Sequence, residues 1–498
     1  MLVLGIDIGS SSAKVSIFDA ENGLSLASDF FPKKEMAIRV PHEGWAEQNP
    51  DEWFNHIQTG ILSLKQKFNG SLADVKAIGI TYQMHGLVTV DKAGKLIRDS
   101  IIWCDSRAVQ IGDKAFHSIG EEYCLNNLLN SPGNFTASKL RWIKENEPEN
   151  YKKIHKIMLP GDYIAYRLTG EITTTKSGLS EGIFWDFGNQ KVSESLINYY
   201  GFDKDLLPAT VPTFGIQGYL TKEAAHSLGI TAGIPVAYRA GDQPNNAFSL
   251  NVLNPGEIAA TAGTSGVVYG ITDQQNPDVK SRVNTFLHVN NTVEKKRYGV
   301  LLCINGTGIL NSWMKHNIMP EKFSYEDMNA LASGINPGSD GLMVFPFGNG
   351  AERILENIDL KANIYGLDLN IHTKGHLLRA SQEGIVFALN YGVEILRDLG
   401  LEINTVKAAM ANMFLSDVFR QTFATVTGAN LEFFNTDGSQ GAARGAALGC
   451  GFYKNTDEAF KSLEKIKDVF PEKNPALLEA YENWKTQLKK IIRNNKSD

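Results

Sequence analysis

Two short turns rich in glycine and hydroxyl residues stand out in the sequence. Gly9–Ser12 separates two apolar segments near the start of the chain, and Ala262–Gly266 does the same in the second half. Backbone N–H groups in such turns point into one concavity and can bind phosphate oxygens. One such turn is usually only a hairpin, whereas two fit a phosphate chain held from both sides. The residues that would hold it are Ser10, Ser11, Gly263, Thr264 and Ser265.

Charged residues flank the first turn. Asp7 ends the apolar segment before it, and Mg²⁺ beside a triphosphate prefers oxygen ligands of this kind. Lys14 lies in the segment after the turn, within reach of a phosphate. The structural alternatives stay open here, because Asp is common in hairpin turns and lysine is usually exposed.

A second acid, Asp242, follows the apolar segment Ile234–Ala240, with Gly241 before it giving a ligand room to approach. Such a carboxylate can accept the proton of an attacking hydroxyl group. Phosphoryl transfer needs little else from the protein besides positioning and charge neutralisation. The alternative is an aspartate that only forms a turn.

Hydrogen-bonding side chains also follow the apolar segment Val75–Tyr82, in the order Gln83-Met84-His85-Gly86. Sugar sites hold hydroxyl groups through convergent polar groups of this type. A lone histidine after a strand is equally compatible with a structural role. The sequence contains neither a Gly-x-x-x-x-Gly-Lys-Ser/Thr segment nor a Gly-x-Gly-x-x-Gly segment, so no P-loop or dinucleotide fold is indicated.

The elements around these residues follow one pattern twice: strand, glycine–hydroxyl turn, strand. We interpret this internal repeat as two related α/β domains, the second starting near residue 250. A helix is predicted from Asn49 to Phe68, because proline and acids occupy its first turn and apolar residues recur at helical spacing. A hairpin is predicted from Leu87 to Leu96. The predicted strands of the two repeat units are Leu2–Ile8, Ala13–Phe18, Ile258–Thr261 and Val267–Ile271.

Composition narrows the function class. The 498 residues carry a formal net charge of −6 without a basic stripe, which argues against nucleic acid as a partner. Four cysteines are too few for a disulfide framework in a chain of this length, so we expect a reducing, cytoplasmic setting. No signal peptide or apolar run of about 18 residues is visible, so no membrane association is expected. The sequence leaves a homodimer open.

A collinear series of motifs then resembles the FGGY family of carbohydrate kinases, and within it the xylulokinases. The two turns resemble the phosphate segments of that family, and the similarity spans nearly the whole chain. The remaining motifs are Trp45-Ala-Glu-Gln-Asn-Pro50, Gln83-Met-His-Gly86, Trp103-Cys-Asp-Ser-Arg107, Phe135-Thr-Ala-Ser-Lys-Leu140, Leu159-Pro-Gly-Asp-Tyr163, Gly366-Leu367 and Arg379-Ala-Ser-Gln-Glu-Gly384.

The resemblance implies two ribonuclease-H-like domains of the actin-like ATPase type, flanking an interdomain cleft. It implies an N-terminal domain over 1–248 with the sugar site and catalytic aspartate, and a nucleotide-binding C-terminal domain over 249–498. The implied activity is ATP-dependent phosphorylation of a ketose, D-xylulose first, with Mg²⁺ as the metal. Ribulose, a hexulose, a sugar acid, glycerol, a non-kinase ATPase and a sugar sensor remain alternatives.

The resemblance also assigns roles by position. Asp242 would be the general base, and Asp7 would lie by Mg²⁺ and the reacting phosphate. The sugar would contact Met84, His85, Asp242 and Gln243. The nucleotide phosphates would contact Ser10, Ser11, Lys14, Gly263, Thr264 and Ser265.

Two segments depart from the family pattern. Gln243 stands where asparagine is usual, which leaves the exact sugar open. Residues 411–416 read Ala-Asn-Met-Phe-Leu-Ser and lack the glycines of the adenosine segment. The Gly- and Ala-rich segment Gly438–Gly449 is predicted to be a closely packed helix, either beside the nucleotide or in plain helix packing.

Overall fold

Two β-sheets organise the protein, and each contains one of the two glycine–hydroxyl turns. The structure is a computed structural model that describes residues 1–495. The first sheet has five strands in the order β5-β4-β1-β2-β3. Its strands are β1 (Leu2–Ile8), β2 (Ala13–Asp19), β3 (Leu24–Phe31), β4 (Val75–Tyr82) and β5 (Val236–Gly241).

The second sheet has seven strands in the order β8-β9-β7-β6-β10-β11-β12. Its strands are β6 (Ile258–Ala262), β7 (Gly266–Thr272), β8 (Asn284–Leu287), β9 (Tyr298–Ile304), β10 (Thr405–Ala409), β11 (Asn430–Phe434) and β12 (Lys465–Val469). Short two-stranded pairs lie outside both sheets, at Glu47–Gln48, Val88–Val90, Ser100–Ile101, Lys156–Met158, Thr173–Thr175, Trp185–Asp186, Lys191–Val192, Ala209–Val211, Met343–Phe345 and Asn363–Tyr365.

The two sheets share one central topology, which confirms the internal repeat. In the first, β1 pairs antiparallel with β2 and parallel with β4, and β5 extends the parallel side. In the second, β6 pairs antiparallel with β7 and parallel with β10, which β11 extends in parallel. Strands β8 and β12 are additions at the two edges of the second sheet.

Helices cover the faces of these sheets. Those of the first half are α1 (Pro50–Lys67), α2 (Val109–Ile119), α3 (Glu121–Tyr123), α4 (Thr136–Asn146), α5 (Pro148–Tyr151), α6 (Pro160–Thr169), α7 (Lys176–Glu181), α8 (Glu194–Tyr200), α9 (Lys222–Leu228) and α10 (Asp242–Ser249). Those of the second half are α11 (Gly308–Asn317), α12 (Tyr325–Ser333), α13 (Lys374–Asp398), α14 (Asp417–Thr427), α15 (Gly438–Gly449), α16 (Thr456–Phe460) and α17 (Pro475–Asn495).

Helix α1 forms where the sequence predicts it. The Asn49 side chain accepts a hydrogen bond from the Asp51 N–H, and Pro50 occupies the first turn, where its missing N–H costs nothing. Its buried apolar side packs against β2 and β3. The hairpin predicted from Leu87 to Leu96 is present in short form: Val90 and Leu96 form an antiparallel bridge, and the Ile97 N–H donates to the Thr89 carbonyl oxygen. The regular strand pairing of Val88–Val90 is with Lys156–Met158, which was not predicted. The sequence cannot reveal a partner strand so far along the chain.

Helix α15 comes from the second half of the chain but packs on the first sheet, against β1, β4 and β5. Close approach requires small residues on both sides. A Cβ atom on Gly5 would lie 1.9 Å from the Ser439 carbonyl oxygen, and one on Gly79 would lie 1.9 Å from that of Ala442. The close packing predicted for this helix is therefore present.

Helix α10 lies between the two sheets, in contact with β5 and α15 on one side and with β6 and β7 on the other. The residue that begins it, Asp242, is thereby placed where the two halves of the molecule meet. Among residues 1–495, no helix is both long enough and apolar enough to cross a membrane.

Candidate active site

Asp242 stands at the junction of β5 and α10, at the carboxyl end of a parallel strand, where open α/β sheets bind ligands. Its side chain is partly buried. Burial raises the pKa of Asp242 from its usual range to about 7, although hydrogen bonds from the Gln243 backbone and side chain oppose this shift. An aspartate with this pKa is partly ionised at neutral pH, so it can both accept and release a proton there.

Asp7 lies at the end of β1, paired across the sheet with Lys14 of β2. Burial raises its pKa to about 7, the Asp242 and Asp437 carboxylates add to this, and the Lys14 ammonium opposes it. Lys14 Nζ donates to Asp437 Oδ2 at 2.6 Å. Asp437 caps α15, whose first residue, Gly438, is so close that a Cβ atom there would lie 2.3 Å from Asp7 Oδ2. Three carboxylates and one ammonium group thus meet beside the first turn.

His85 follows β4 and has a positive φ of 61°, a conformation that other contacts must hold. Lys139 Nζ donates to the His85 carbonyl oxygen at 2.9 Å. His85 Nδ1 lies 2.9 Å from the Glu181 carbonyl oxygen, which can only accept, so Nδ1 carries the proton and Nε2 is left as an acceptor. Burial, with Lys139 nearby, lowers the pKa of His85 to about 3, so the ring is neutral.

Groups from the second half reach the same place. The Phe286 ring, on β8, lies 5.2 Å from the His85 ring and 5.9 Å from that of Phe135. The Arg353 guanidinium stands 5.4 Å from the Phe135 ring centroid. The His85 side of the site is therefore walled by residues from both halves of the chain.

Met84 and Gly241 are in close contact on the other side of His85. A Cβ atom on Gly241 would lie 2.6 Å from Met84 Cγ and 2.6 Å from Glu181 Oε2. A side chain here would therefore displace the side chains of Met84 and Glu181. The segments that carry Met84, His85, Asp242 and Gln243 thus lie next to one another, and Gln243 is hydrogen-bonded to the Asp242 carboxylate.

The first turn is closed by a hydrogen bond from the Gly9 N–H to the Ser12 carbonyl oxygen at 2.9 Å. Ser10 and Ser11 are partly exposed, and their carbonyl oxygens accept hydrogen bonds from Gln48 Nε2 and the Met36 N–H. These contacts use backbone oxygens and fix the turn from outside. Both hydroxyl groups stay clear of them.

The second turn is packed against α11. The Gly308 and Ile309 N–H groups donate to the carbonyl oxygens of Gly263 and Thr264, and the Thr264 side chain is exposed. Asn412, in the segment that lacks the family glycines, lies beside Gly263: its Nδ2 would be 3.7 Å from a Cβ atom there. This segment forms a 3-10 turn over Asn412–Leu415, with Met413 and Phe414 buried.

Comparison with known proteins identifies the family. The N-terminal domain model of the FGGY family of carbohydrate kinases matches residues 2–249, and the C-terminal domain model matches residues 258–452. The chain belongs to the FGGY family of carbohydrate kinases. As an FGGY kinase, it is a phosphotransferase that takes ATP as phosphate donor and an alcohol group of a carbohydrate as acceptor.

Named relatives extend this comparison. The chain is similar to the xylulose kinase of Bacillus subtilis (strain 168), with 26% identity over 98% of this chain and 97% of the relative. The crystal structure of xylulose kinase from Rhodospirillum rubrum superimposes with a TM-score of 0.85 at 25% identity, covering 99% and 100% of the two chains. Gluconate kinase from Lactobacillus acidophilus shares the fold, with a TM-score of 0.87 at 22% identity over 99% and 98%.

The acids of this FGGY kinase fit Mg²⁺ in part. Within residues 1–495, no group of three or more His, Cys, Asp or Glu side chains is arranged to hold a metal ion alone. Mg²⁺ is commonly held by one or two carboxylates together with substrate phosphates and water. Asp7, beside the first turn, suits that arrangement.

A cavity of about 190 Å³ between α13 and α17 is lined by none of the candidate site residues.

Sequence reasoning missed three residues of the site: Glu181, Arg353 and Asp437. Each lies far along the chain from the residue it approaches. The helix-capping pattern at Asp437 marks a helix start, but no local pattern tells that this start meets Asp7. Glu181 and Arg353 lie in segments with no signal that the sequence analysis used.

Proposed function

We propose that this FGGY kinase phosphorylates a ketose, D-xylulose, at its terminal 5-hydroxyl group, with Asp242 as the general base. The observation that supports this proposal most directly is the position of Asp242. Its carboxyl group, with a pKa raised to about 7, begins the helix between the two sheets, with Met84 and His85 toward one side and Asp7 within electrostatic reach. The xylulose kinase relatives support the choice of sugar.

In this mechanism the sugar binds against Met84 and His85, whose neutral ring offers Nε2 as an acceptor to a sugar hydroxyl group. The Asp242 carboxylate takes the proton of the terminal hydroxyl group as the oxygen attacks the γ-phosphorus in line. The new O–P bond forms as the bond to the β-phosphate oxygen breaks, and ADP leaves. The proton stays on Asp242 until it is released to solvent.

The phosphate chain of ATP would lie between the two turns, held by Ser10, Ser11 and Lys14 on one side and by Gly263, Thr264 and Ser265 on the other. Asp7 would hold Mg²⁺ together with those phosphates, and the metal supplies positive charge that neutralises the phosphate oxygens. Closure of the two halves excludes water and limits ATP hydrolysis without sugar.

The central test is the Asp242→Asn variant. We expect kcat to fall by about 10²–10⁴-fold, because the amide cannot accept the proton, while D-xylulose binding measured by calorimetry persists. A coupled ADP assay gives kcat. Turnover similar to the wild type in this variant would remove Asp242 from the role of base.

Substrate choice is tested with a panel of D-xylulose, ribulose, a hexulose, glycerol and a sugar acid. One observation favours a sugar acid as the second candidate: Arg353 and Lys139 both lie near His85 and lower its pKa. A guanidinium group in that position suits a carboxylate. If kcat/KM is highest with the sugar acid, the proposed substrate changes from D-xylulose to a sugar acid, and the proposed kinase mechanism stays the same.

A further inference from the structure

Glu181 is a buried carboxyl group in contact with both segments that carry the proposed chemistry. It ends α7, and only 2% of the residue is exposed. Within residues 1–495, no Lys, Arg or His side chain forms an ion pair with it at 4 Å or less. A buried carboxylate without a cationic partner is costly, so its protonation state needs an explanation.

The contacts of Glu181 join the two segments. Its Oε1 lies 3.4 Å from the His85 backbone nitrogen, and its backbone carbonyl oxygen accepts from His85 Nδ1 at 2.9 Å. Its Oε2 lies so close to Gly241 that a Cβ atom there would be 2.6 Å away. The Glu181 side chain therefore contacts the His85 backbone on one side and Gly241 on the other, while the Glu181 backbone carbonyl oxygen orients the His85 ring.

The surroundings of Glu181 favour the neutral acid. Burial raises its pKa well above the usual range; the His85 N–H opposes this, and the carboxylates of Asp162 and Asp242 add to it. A hydrogen bond from the Tyr82 hydroxyl group also opposes the rise in the pKa of Glu181, but burial outweighs it. The cations near this part of the site have other partners: Arg239 Nε lies 3.0 Å from Asp162 Oδ1, and Lys139 Nζ donates to the His85 carbonyl oxygen at 2.9 Å.

We propose that Glu181 is a positioning residue that acts in its protonated form, holding the His85 and Gly241 segments in place and leaving Asp242 as the ionised carboxylate that faces the sugar. Two carboxyl groups so near each other divide their roles when their environments keep one neutral. This inference rests on the proposed function of Asp242. It assigns no proton transfer to Glu181.

The first test compares Glu181→Gln with Glu181→Ala. Glutamine keeps the shape and neutrality of the acid, so it should restore most of the activity. Alanine loosens both segments and should lower kcat by about tenfold to a hundredfold. We also expect wild-type kcat/KM to decline at alkaline pH as Glu181 ionises, and Glu181→Gln to lack that decline. Equal losses in the two variants would overturn the proposal.

The second test needs no substrate. A group whose pKa is raised by folding stabilises the folded state at low pH, and this contribution is lost as pH rises through the folded pKa. The Tm of the wild type should therefore fall relative to that of Glu181→Gln as pH rises. A difference in Tm that is constant with pH would show that Glu181 is not protonated in the folded protein.

Glu383→Gln is a matched control. Glu383 is equally buried, at 2% exposed, but pairs with Arg379 at 2.7 Å and lies outside the candidate site. This variant should lose Tm and keep the wild-type pH profile of kcat/KM. Failure of the proposed base role of Asp242 can be told apart from failure of the Glu181 proposal. The first would appear as retained turnover in Asp242→Asn, whereas the Tm comparison tests Glu181 alone. An alkaline decline retained in Glu181→Gln would count against Glu181.

Discussion

At the scale of residues, four carboxyl groups gather near one site, and their surroundings separate their charges. Asp437 pairs with Lys14, which lowers its pKa although burial opposes the shift. Burial raises the pKa values of Asp7 and Asp242 to about 7, and it raises the pKa of Glu181 well above its usual range. Chemically similar side chains can thus take different roles, with partners and burial deciding which acid is ionised at neutral pH.

The pKa of Asp242 predicts a pH profile. A base must be ionised, and a raised pKa means that protonation begins near neutral pH, so kcat/KM should fall about tenfold per pH unit below about 7. The measurement is kcat/KM for the sugar from about pH 5.5 to 8.5 at saturating ATP and Mg²⁺. A rate that stays level down to the acid end of that range would contradict the assignment.

The sequence predicted the residues that follow strands and missed those that reach them from afar. Asp7, His85 and Asp242 each end a recognisable apolar segment, so local pattern was enough to select them. Glu181 and Asp437 meet these residues only because helices α7 and α15 pack where they do, and such contacts leave no local signature. The Asp242 contact of Gln243 is also visible only in the structure.

At the scale of elements, helix α15 fixes the position of Asp437 through glycine contacts rather than through large apolar side chains. Gly5 and Gly79, in neighbouring strands, both lie directly under the helix backbone. Alanines at 442, 443, 446 and 447 complete the contact. Any side chain added to the strands must push the helix, and with it Asp437, away from Asp7.

We therefore predict that Gly79→Ala destabilises the protein by about 1–3 kcal/mol, because the new Cβ atom would lie 1.9 Å from the Ala442 carbonyl oxygen. Urea unfolding followed by circular dichroism measures this. The control is Gly334→Ala, where the nearest atom lies 3.6 Å away and φ is −75°, so little change is expected. Equal stability of Gly79→Ala and the wild type would show that the helix has room to move.

The strand–turn–strand repeat could be predicted from the sequence because each unit is local and its turn chemistry repeats. The order of the remaining strands could not be predicted, because parallel pairing joins segments far apart in sequence, such as β1 with β4 and β6 with β10. The edge strands β8 and β12 and the partner of Val88–Val90 were also missed, although all three pair antiparallel with their neighbours.

At the scale of the whole molecule, the two sheets are tied together at the site itself. Lys14 of the first sheet pairs with Asp437 at the start of α15, and both side chains are only partly exposed, at 33% and 29%. Phe286 of the second sheet packs against His85. Residues from both halves are therefore needed to complete the proposed nucleotide and sugar contacts.

This arrangement predicts a selective effect of Lys14→Met. Loss of one charged contact to phosphate should raise the KM for ATP by about tenfold and leave the KM for the sugar within about twofold, because Lys14 faces the phosphate side. Steady-state kinetics with each substrate varied in turn measures both constants. Lys67→Met is the control, since Lys67 also pairs with an acid, Asp29 at 2.9 Å, away from the site. An unchanged KM for ATP would remove Lys14 from phosphate binding.

The route of helix α15 has a consequence for how the protein is made. A ribosome releases the first sheet early, when residue 241 emerges, yet the helix that shields one face of that sheet is encoded some two hundred positions later. Until then Val3, Ala77 and Ala237 lack the alanine-lined cover that buries them in the finished molecule. The nascent chain must therefore keep this uncovered apolar surface in solution while about two hundred further residues are made, a stage at which chaperones are expected to bind.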